Sequence, residues 1–261
     1  MYVFEMNDPE LNDRFVIRVS VPAMYEMQKD KSYPVLYVVD SDAAFGAACT
    51  TVDYINLGAN FGLGKNVPDL ITVGIGYERG MLPWLFTRVR DFTPSEDPSF
   101  NYNNPQFKIS ESGKADIFYT FLTKEVIPAI QENFRVDDTL SILSGHSMGG
   151  LFGLYAMLKK DCPFNKFIAI SPFVGWDTKV LFKHEQDFAA AQKEIQADLF
   201  MSSCGIEPTP TYIEEVREYY TILKERGYKQ FRSEYREYPE ENHFSILPKA
   251  FSEGLYAIFN L

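Results

Sequence analysis

The sequence predicts an α/β protein whose central sheet is mostly parallel and carries helices on both faces. Three segments are apolar throughout instead of alternating, at positions 35–39, 70–75 and 167–170. Strands that are buried on both faces have this composition. Segments with a helical repeat of apolar residues lie between such strands, and a chain that alternates strands with helices builds a parallel sheet.

The remaining elements follow in chain order. Residues 15–21 alternate apolar and polar side chains, which predicts an early, partly exposed strand that ends at Pro22. Further buried strands are predicted at 140–143 and 197–201. Residues 230–238 alternate charged with aromatic side chains and predict a late, more exposed strand. Helices are predicted at 117–134, 148–160, 212–226 and 249–259.

One long segment, residues 80–115, breaks this alternation. It contains aromatic residues among prolines and asparagines without a clear repeat: Trp84, Phe86, Phe92, Phe100, Tyr102 and Phe107. Connections of this length inside a compact domain are often lids or binding segments. We expect a lid or a pocket wall, and a structural excursion that covers the sheet edge is the equal alternative. No linker divides the chain, so we expect one domain over residues 1–261.

Composition and charge exclude several classes of partner. The 261 residues include 25 Lys and Arg against 36 Asp and Glu, a formal net charge of -11. A field of this sign repels nucleic acid and anionic lipid. No apolar run approaches the roughly 18 residues that span a bilayer, and the first residues lack a leader pattern. We therefore expect a soluble cytoplasmic protein, with a removed signal peptide as the open alternative. The oligomeric state is not predicted.

Cysteine and histidine spacing gives no sign of a metal centre. Cys49, Cys162 and Cys204 are odd in number and far apart, so we expect reduced, buried thiols and no disulfide framework. The histidines, at 146, 184 and 243, have no ligand spacing. We therefore expect neither a metal nor a cofactor.

A nucleophile motif lies at residues 145–149, with the sequence Gly-His-Ser-Met-Gly. It follows the predicted strand 140–143 and begins the helix 148–160, which is the strand-turn-helix context of a nucleophile elbow. Gly145 and Gly149 would let the strand and the helix approach closely. The amino end of the helix would direct its free amides at a developing negative charge. Ser147 is the predicted nucleophile.

The serine needs a general base, and three histidines compete for that role. His146 lies inside the elbow, where packing or hydrogen bonding near the pocket is the expected role. His184 lies in a charged stretch and is expected to be solvated. His243 lies between the last strand and the last helix, where a hydrolase with the chain order Ser, acid, His has its base. His243 is the predicted base.

The acid that orients the imidazole should lie between Ser147 and His243 in a loop that follows a strand. Glu207 follows the strand around 199–203 and fits this requirement best. The alternatives are Asp177, Glu214, Glu215 and Glu240.

Several segments together resemble a known family. They are Tyr-Pro-Val-Leu-Tyr-Val-Val-Asp at 33–40, Arg-Val-Arg-Asp-Phe-Thr-Pro at 88–94, the elbow with 150–152, Ser-Pro at 171–172, Gly-Ile-Glu at 205–207 and Glu-Asn-His-Phe-Ser-Ile-Leu-Pro at 241–248. In this order they resemble the putative esterases, which include siderophore (enterochelin) esterases, feruloyl esterases, S-formylglutathione hydrolase and mycolyltransferases. The siderophore esterases are the most similar branch. The resemblance implies the α/β-hydrolase fold.

The resemblance also implies site residues. The backbone amides of Met148 and Asp42 would form the oxyanion hole, and Trp176 with the segment 88–94 would border the acyl pocket. The chain departs from the family where Asp40-Ser41-Asp42 replaces Asp-Gly, so the Asp42 carboxylate must point away from the oxyanion. Another departure is the single tryptophan after the Ser-Pro motif.

Two arginines in the resembling segment have two interpretations of equal weight. Arg88 and Arg90 could bind an anionic part of the substrate. An arginine beside Asp91 could equally form a structural ion pair that fixes the local backbone.

The function predicted from the sequence is hydrolysis of a small-molecule carboxylic ester through an acyl-enzyme, with Ser147, His243 and Glu207 as the catalytic triad. Acyl transfer to an alcohol by the same triad is one alternative. The other is a binding protein that retains this fold without catalysis.

Overall fold

The computed structural model describes residues 1–100 and 111–261, except for the side chains of Met81 and Leu82. The described strands are β1 (Tyr2–Asp8), β2 (Asp13–Ser20), β3 (Tyr33–Val39), β4 (Ile71–Gly76), β5 (Val136–His146), β6 (Lys166–Ile170), β7 (Glu194–Ile206) and β8 (Lys229–Asn242). The described helices are α1 (Ser41–Asn60), α2 (Met81–Phe92), α3 (Ala115–Phe121), α4 (Ile127–Asn133), α5 (Met148–Met157), α6 (Trp176–Ala191), α7 (Tyr212–Arg226) and α8 (Ile246–Ile258), with a π-helical turn (Leu122–Val126) between α3 and α4. None of these described helices could cross a bilayer, given their length and polarity.

The described strands form one eight-stranded sheet in the order β1-β2-β4-β3-β5-β6-β7-β8. β1 pairs with β2 and β2 with β4 in antiparallel register, whereas the pairs from β4 to β8 are parallel. The predicted α/β-hydrolase fold with a mostly parallel sheet is therefore confirmed.

Helices cover both faces of the sheet, and the central strand β3 shows how. Successive side chains of a strand point to opposite faces. Val35 and Tyr37 belong to the larger core, which α5 and α7 help to close. Leu36 and Val38 belong to the second core, which α1 and α8 cover. All four side chains are almost fully buried, which explains why this segment is apolar without alternation.

Four elements were not predicted from the sequence: β1, α1, α2 and α6. α1 buries Ala44, Ala48 and Val52 at helical spacing, but its glycines and β-branched residues weaken the pattern. α2 replaces much of the irregular segment expected at 80–115, and Pro83 lies in its first turn, where a missing N–H costs no helical hydrogen bond. Tyr102 and Phe107 of that segment lie outside the described residues.

The carboxyl ends of the parallel strands place the sequence-predicted residues on one edge of the sheet. Asp40 follows β3, Ser147 follows β5, Glu207 follows β7, and His243 follows β8. Parallel strands present their carboxyl ends at the same edge, where ligands of open α/β sheets bind. Residues far apart in sequence therefore share one cavity.

Candidate active site

Ser147 lies in a strained turn between β5 and α5. Its backbone has φ 59° and ψ -117°, values that a non-glycine residue rarely adopts. The Ser147 amide donates to the Ile170 carbonyl of the neighbouring strand at 2.9 Å. The turn is thus fixed by the sheet, and the geometry agrees with the strained turn expected of a nucleophile elbow.

The two glycines of the motif are needed for close approach. A Cβ at Gly145 would collide with the backbone of Gly149, where the strand and the helix cross. A Cβ at Gly149 would lie 2.8 Å from Asp40 Oδ2. The elbow therefore packs directly against the residue that precedes α1, and a side chain at either glycine would separate the two.

His243 is held by Glu207 through a short hydrogen bond. The distance between His243 Nδ1 and Glu207 Oε2 is 2.6 Å. The His243 amide also donates to the Ile206 carbonyl at 2.9 Å, so the loop after β8 is attached to the loop after β7. With Nδ1 bound to the carboxylate, the Nε2 atom is left to exchange a proton with another group.

The Glu207 carboxylate is itself fixed by two further donors. Its Oε1 accepts from Ser171 Oγ at 2.7 Å and from the Cys204 amide at 3.0 Å. Burial alone would raise the pKa of Glu207, but the hydrogen bonds from His243, Ser171 and Cys204 outweigh burial and lower it. Glu207 is therefore an ionised acceptor near neutral pH, and Ser171 is a positioning residue that sequence reasoning missed.

The four alternative acids lie elsewhere. None of these four acids is among the described residues that line the cavity beside Ser147. Glu214 and Glu240 are exposed, Asp177 belongs to a left-handed turn at the start of α6, and the Glu215 carboxylate lies against Gly175.

His146, inside the elbow, is hydrogen-bonded to the backbone of His243 in the loop after β8. Its Nε2 donates to the His243 carbonyl at 2.6 Å, and the two imidazole rings are 4.6 Å apart. Burial lowers the pKa of His146 well below its ordinary value, and the nearby charges of His243 and Arg88 lower it further. The ring is therefore neutral, with its proton on Nε2.

His184 is half-buried against the ring of Tyr155, and burial lowers its pKa, which corrects the expectation that it is solvated.

Tyr212, the first residue of α7, is a site residue that sequence reasoning missed. Its hydroxyl donates to the Ser171 carbonyl at 2.7 Å. Burial raises the pKa of Tyr212 well above its ordinary value, and the Ser147 side chain acts in the opposite direction. Its ring meets the His243 ring edge-on at 5.4 Å. Tyr212 thus lies beside both predicted catalytic side chains.

A large cavity opens above these residues. Its volume is about 830 Å³, and both Ser147 and His243 line it. Most of its wall is apolar or aromatic, formed by Ala43, Ala44, Trp84, Leu85, Phe100, Met148, Phe173, Ile206, Pro208, Tyr212, Phe244 and Leu247. Such a volume and composition suit a small organic ligand.

The sequence-predicted pocket residues divide into two groups. Arg88 and His146 line the cavity. Arg90 and Trp176 are not among its described lining residues. Arg90 instead forms ion pairs with Asp91 and Asp13, and Trp176 is 1% exposed, with its indole N–H donating to the Ser95 carbonyl. Arg90 thus pairs with the first residue of β2, whereas Arg88 reaches the cavity, so the two arginines of one motif separate.

Arg88 is paired although it lines the cavity. Its guanidinium makes two parallel hydrogen bonds of 2.7 Å to the Asp40 carboxylate. It also donates to the carbonyl of His146 at 2.9 Å. The Trp84 indole donates to the same carboxylate at 3.1 Å. Arg88 therefore links α2 to the residue before α1 and to the residue before Ser147.

The two residues predicted to supply oxyanion amides belong to helix starts at the cavity. Met148 begins α5 and lines the cavity. Asp42 lies in the first turn of α1, between the lining residues Asp40 and Ala43. The Asp42 carboxylate accepts from the amides of Tyr77 and Glu78 at the end of β4. It is thus engaged away from the cavity, as the sequence required.

A possible metal-binding arrangement is explained by the hydrogen bonds already described. Ligand atoms of Cys204, Glu207 and His243 lie within 4.8 Å of one another. Burial and then the adjacent Glu207 raise the pKa of the Cys204 thiol to about 12, so it is protonated and a poor ligand. All three cysteines are free, but Cys49 and Cys162 are only half-buried, which corrects the expectation of three buried thiols.

Comparisons with known proteins agree with this geometry. A family model described as a putative esterase matches residues 9–200. The ferri-bacillibactin esterase BesA of Bacillus subtilis is 29% identical over 231 residues, which cover 85% of this chain and 78% of that protein. The siderophore triacetylfusarinine C esterase of Aspergillus fumigatus is 27% identical, with 95% and 90% covered. The crystal structure of the BES protein from Bacillus cereus superposes with a TM-score of 0.85 at 26% identity and covers 98% of this chain and 95% of that one.

Proposed function

The chain belongs to the putative esterase family, and on this premise we propose that it hydrolyses carboxylic esters through an acyl-enzyme on Ser147, with His243 as general base and Glu207 as the orienting acid. The hydrogen bond of 2.6 Å between His243 Nδ1 and Glu207 Oε2, in the cavity that Ser147 lines, carries this proposal. The strained elbow at Ser147 supports it.

In the first step, Ser147 Oγ attacks the ester carbonyl carbon while its proton passes to His243 Nε2. Glu207 holds the Nδ1 proton and stabilises the imidazolium that forms. The tetrahedral intermediate then expels the alcohol, which takes the proton from Nε2. Water attacks the acyl-enzyme with the same base, and the acid leaves as Ser147 regains its proton.

The carbonyl oxygen becomes negative in both steps and needs donors. The amides of Met148 and Asp42 are the proposed oxyanion hole because both lie in first turns of helices, where N–H groups lack helical partners. Neutral His146 keeps a second positive charge away from the reacting imidazole.

We take the substrate to be a small-molecule ester of the siderophore kind. The support is that both curated relatives described above are named as siderophore esterases. The volume of the cavity, about 830 Å³, is compatible with one arm of such a molecule.

Labelling with a fluorophosphonate probe tests the mechanism, since the probe reacts only with an activated serine. Wild-type protein should be labelled and should hydrolyse short para-nitrophenyl esters, and Ser147→Ala should do neither. Ser144→Ala is the matched control, because Ser144 is a buried serine of β5 outside the described cavity lining. Equal labelling of wild type and Ser147→Ala would refute the assignment.

A further inference from the structure

The wall of the cavity around Ser147 offers aromatic surface on several sides. Trp84 and Phe100 come from α2 and the segment that follows it, and Phe173, Tyr212 and Phe244 come from three other parts of the chain. Phe173 and Tyr212 stack in parallel, with an interplanar angle of 6°. Planar aromatic groups pack favourably against such walls.

Each acidic side chain of the described lining has a partner within that lining. Asp40 forms an ion pair with Arg88, and Glu207 is hydrogen-bonded to His243, the proposed base. The first pair is buried, with side chains 4% and 5% exposed. Both oxygens of Asp40 are bound by the guanidinium, in the geometry that gives Arg–carboxylate pairs their strength. The charge of the guanidinium is therefore already balanced by Asp40 before a substrate binds.

From this pairing and from the aromatic wall we propose that the cavity beside Ser147 selects an uncharged aromatic ester and discriminates against an anionic one. An anion in the cavity would lose its hydration, and the described wall returns no compensating charge. The inference rests on the proposed esterase function and adds the charge state of the substrate to it. The formal net charge of -11 acts in the same direction at long range.

Two esters of the same shape test the proposal. Para-nitrophenyl para-carbamoylbenzoate and para-nitrophenyl para-carboxybenzoate share a leaving group and differ only by a neutral amide in place of the carboxylate. Each kcat/KM is divided by the rate constant of the ester with hydroxide, which removes intrinsic reactivity. We expect the neutral ester to be favoured by about tenfold or more. Where turnover is slow, competitive inhibition constants against para-nitrophenyl acetate compare the binding of the two esters, and the neutral ester should bind more tightly.

The variant Asp40→Asn tests the role of the pair. Asparagine keeps the shape and tolerates the left-handed backbone of Asp40, where φ is 63°. It leaves the Arg88 charge without its counterion, so the ratio of neutral to anionic kcat/KM should fall several-fold. The ratio is internal to each preparation, and a general loss of activity does not alter it.

Asp198→Asn is the matched control. It makes the same chemical change and the same change of net charge, but Asp198 pairs with Lys166 and Arg232 outside the described cavity lining. We expect the wild-type ratio. If the wild-type ratio is near one, or if both variants shift it equally, the proposal is wrong. If no ester is hydrolysed and Ser147 is not labelled, the esterase mechanism fails and this inference falls with it.

The same reasoning makes a prediction for siderophores. An iron-free catecholate ester is close to neutral, whereas its ferric complex is anionic. Wild-type protein should cleave the iron-free form with the higher kcat/KM. Added salt should raise kcat/KM for the ferric form and should change kcat/KM for the iron-free form little. A preference for the ferric complex at low salt would overturn the proposal.

Discussion

The loops that carry Glu207 and His243 and the part of α2 that carries Arg88 line one cavity, yet they use carboxylates differently. A short hydrogen bond between Glu207 and His243 Nδ1 leaves the other imidazole nitrogen available for the proposed proton transfer. In the wall, Arg88 and Asp40 use their opposed hydrogen-bonding groups on each other. One carboxylate holds the proposed base, and the other forms an ion pair that joins α2 to the backbone beside Ser147.

Arg90, two residues further along α2, extends this comparison. It is half-buried and also pairs with carboxylates, those of the buried Asp91 and of Asp13 at the start of β2. Pairing with a carboxylate therefore does not by itself identify an arginine of the site. The two arginines differ in what their pairs contact, because, of these two, only Arg88, paired with Asp40, also binds the backbone beside Ser147.

The largest effect is expected at Glu207, the proposed orienting acid, and no comparable effect is expected at an exposed carboxylate. Glu207→Gln should lower kcat on the order of 10⁴-fold, because the amide cannot hold the tautomer that leaves His243 Nε2 free to accept a proton. Steady-state kinetics with para-nitrophenyl acetate measure this. Glu214→Gln, the same change at an exposed alternative acid, should keep wild-type kcat. A comparable loss in both variants would contradict the assignment of Glu207.

The next prediction sharpens the difference between the two arginines of α2. Arg88→Lys and Arg90→Lys each replace a two-pronged guanidinium by a single ammonium, so each should lower the free energy of unfolding by about 2 kcal/mol. Only Arg88→Lys should also lower kcat/KM, by about tenfold or more, because it loosens the Asp40 and His146 contacts beside Ser147.

Urea unfolding and kinetics on the same preparations separate the two effects. Arg90→Lys serves as the control for destabilisation without contact to the elbow. Equal losses of kcat/KM in the two variants would show that α2 acts only through general stability.

The elbow could be predicted from the sequence because its constraints are local. Gly145 and Gly149 are fixed by one crossing of strand and helix, and that crossing needs no knowledge of distant residues. The order of Ser147, Glu207 and His243 along the strands was equally readable. The residues of the pocket wall could not be predicted in this way, because they depend on how α2 packs over the sheet.

Trp176 and Tyr212 illustrate the limit. The family resemblance implied that Trp176 borders the pocket, but the chain turns after β6 and buries it behind Phe100, which lines the cavity itself. Tyr212 had no distinguishing signal, since a tyrosine at the start of a helix usually packs into the core. Its role becomes visible only when α7 brings its hydroxyl to Ser147 and Ser171.

A smaller effect is expected where the wall meets the elbow. Tyr212→Phe keeps the aromatic surface but removes the donor to the Ser171 carbonyl and the acceptor near Ser147. Because Ser171 also holds Glu207, kcat should fall by several-fold up to about tenfold, with a stability loss of about 1 kcal/mol. Tyr220→Phe, which removes a hydroxyl that donates to the Ser233 carbonyl outside the described cavity lining, is the matched control. Unchanged kcat in Tyr212→Phe would limit Tyr212 to packing.

The smallest effect concerns the protonation of His146. The pKa of His146 is lowered by burial in the folded protein, so its contribution to stability is complete above the unfolded value of about 6.5 and is lost as the pH falls below it. Replacing it by Gln, which retains a donor for the His243 carbonyl, should remove up to about 1.4 kcal/mol per pH unit of that acid destabilisation.

Melting temperatures between pH 5 and 8 measure this slope. His146→Ala removes the same titration but also the donor, so it should melt lower than His146→Gln throughout the range while sharing its flatter slope. His184, whose pKa is also lowered, keeps part of the slope in both variants. If His146→Gln retained the full wild-type slope, the imidazole would not be held neutral by its burial, and the elbow would tolerate two charged histidines side by side.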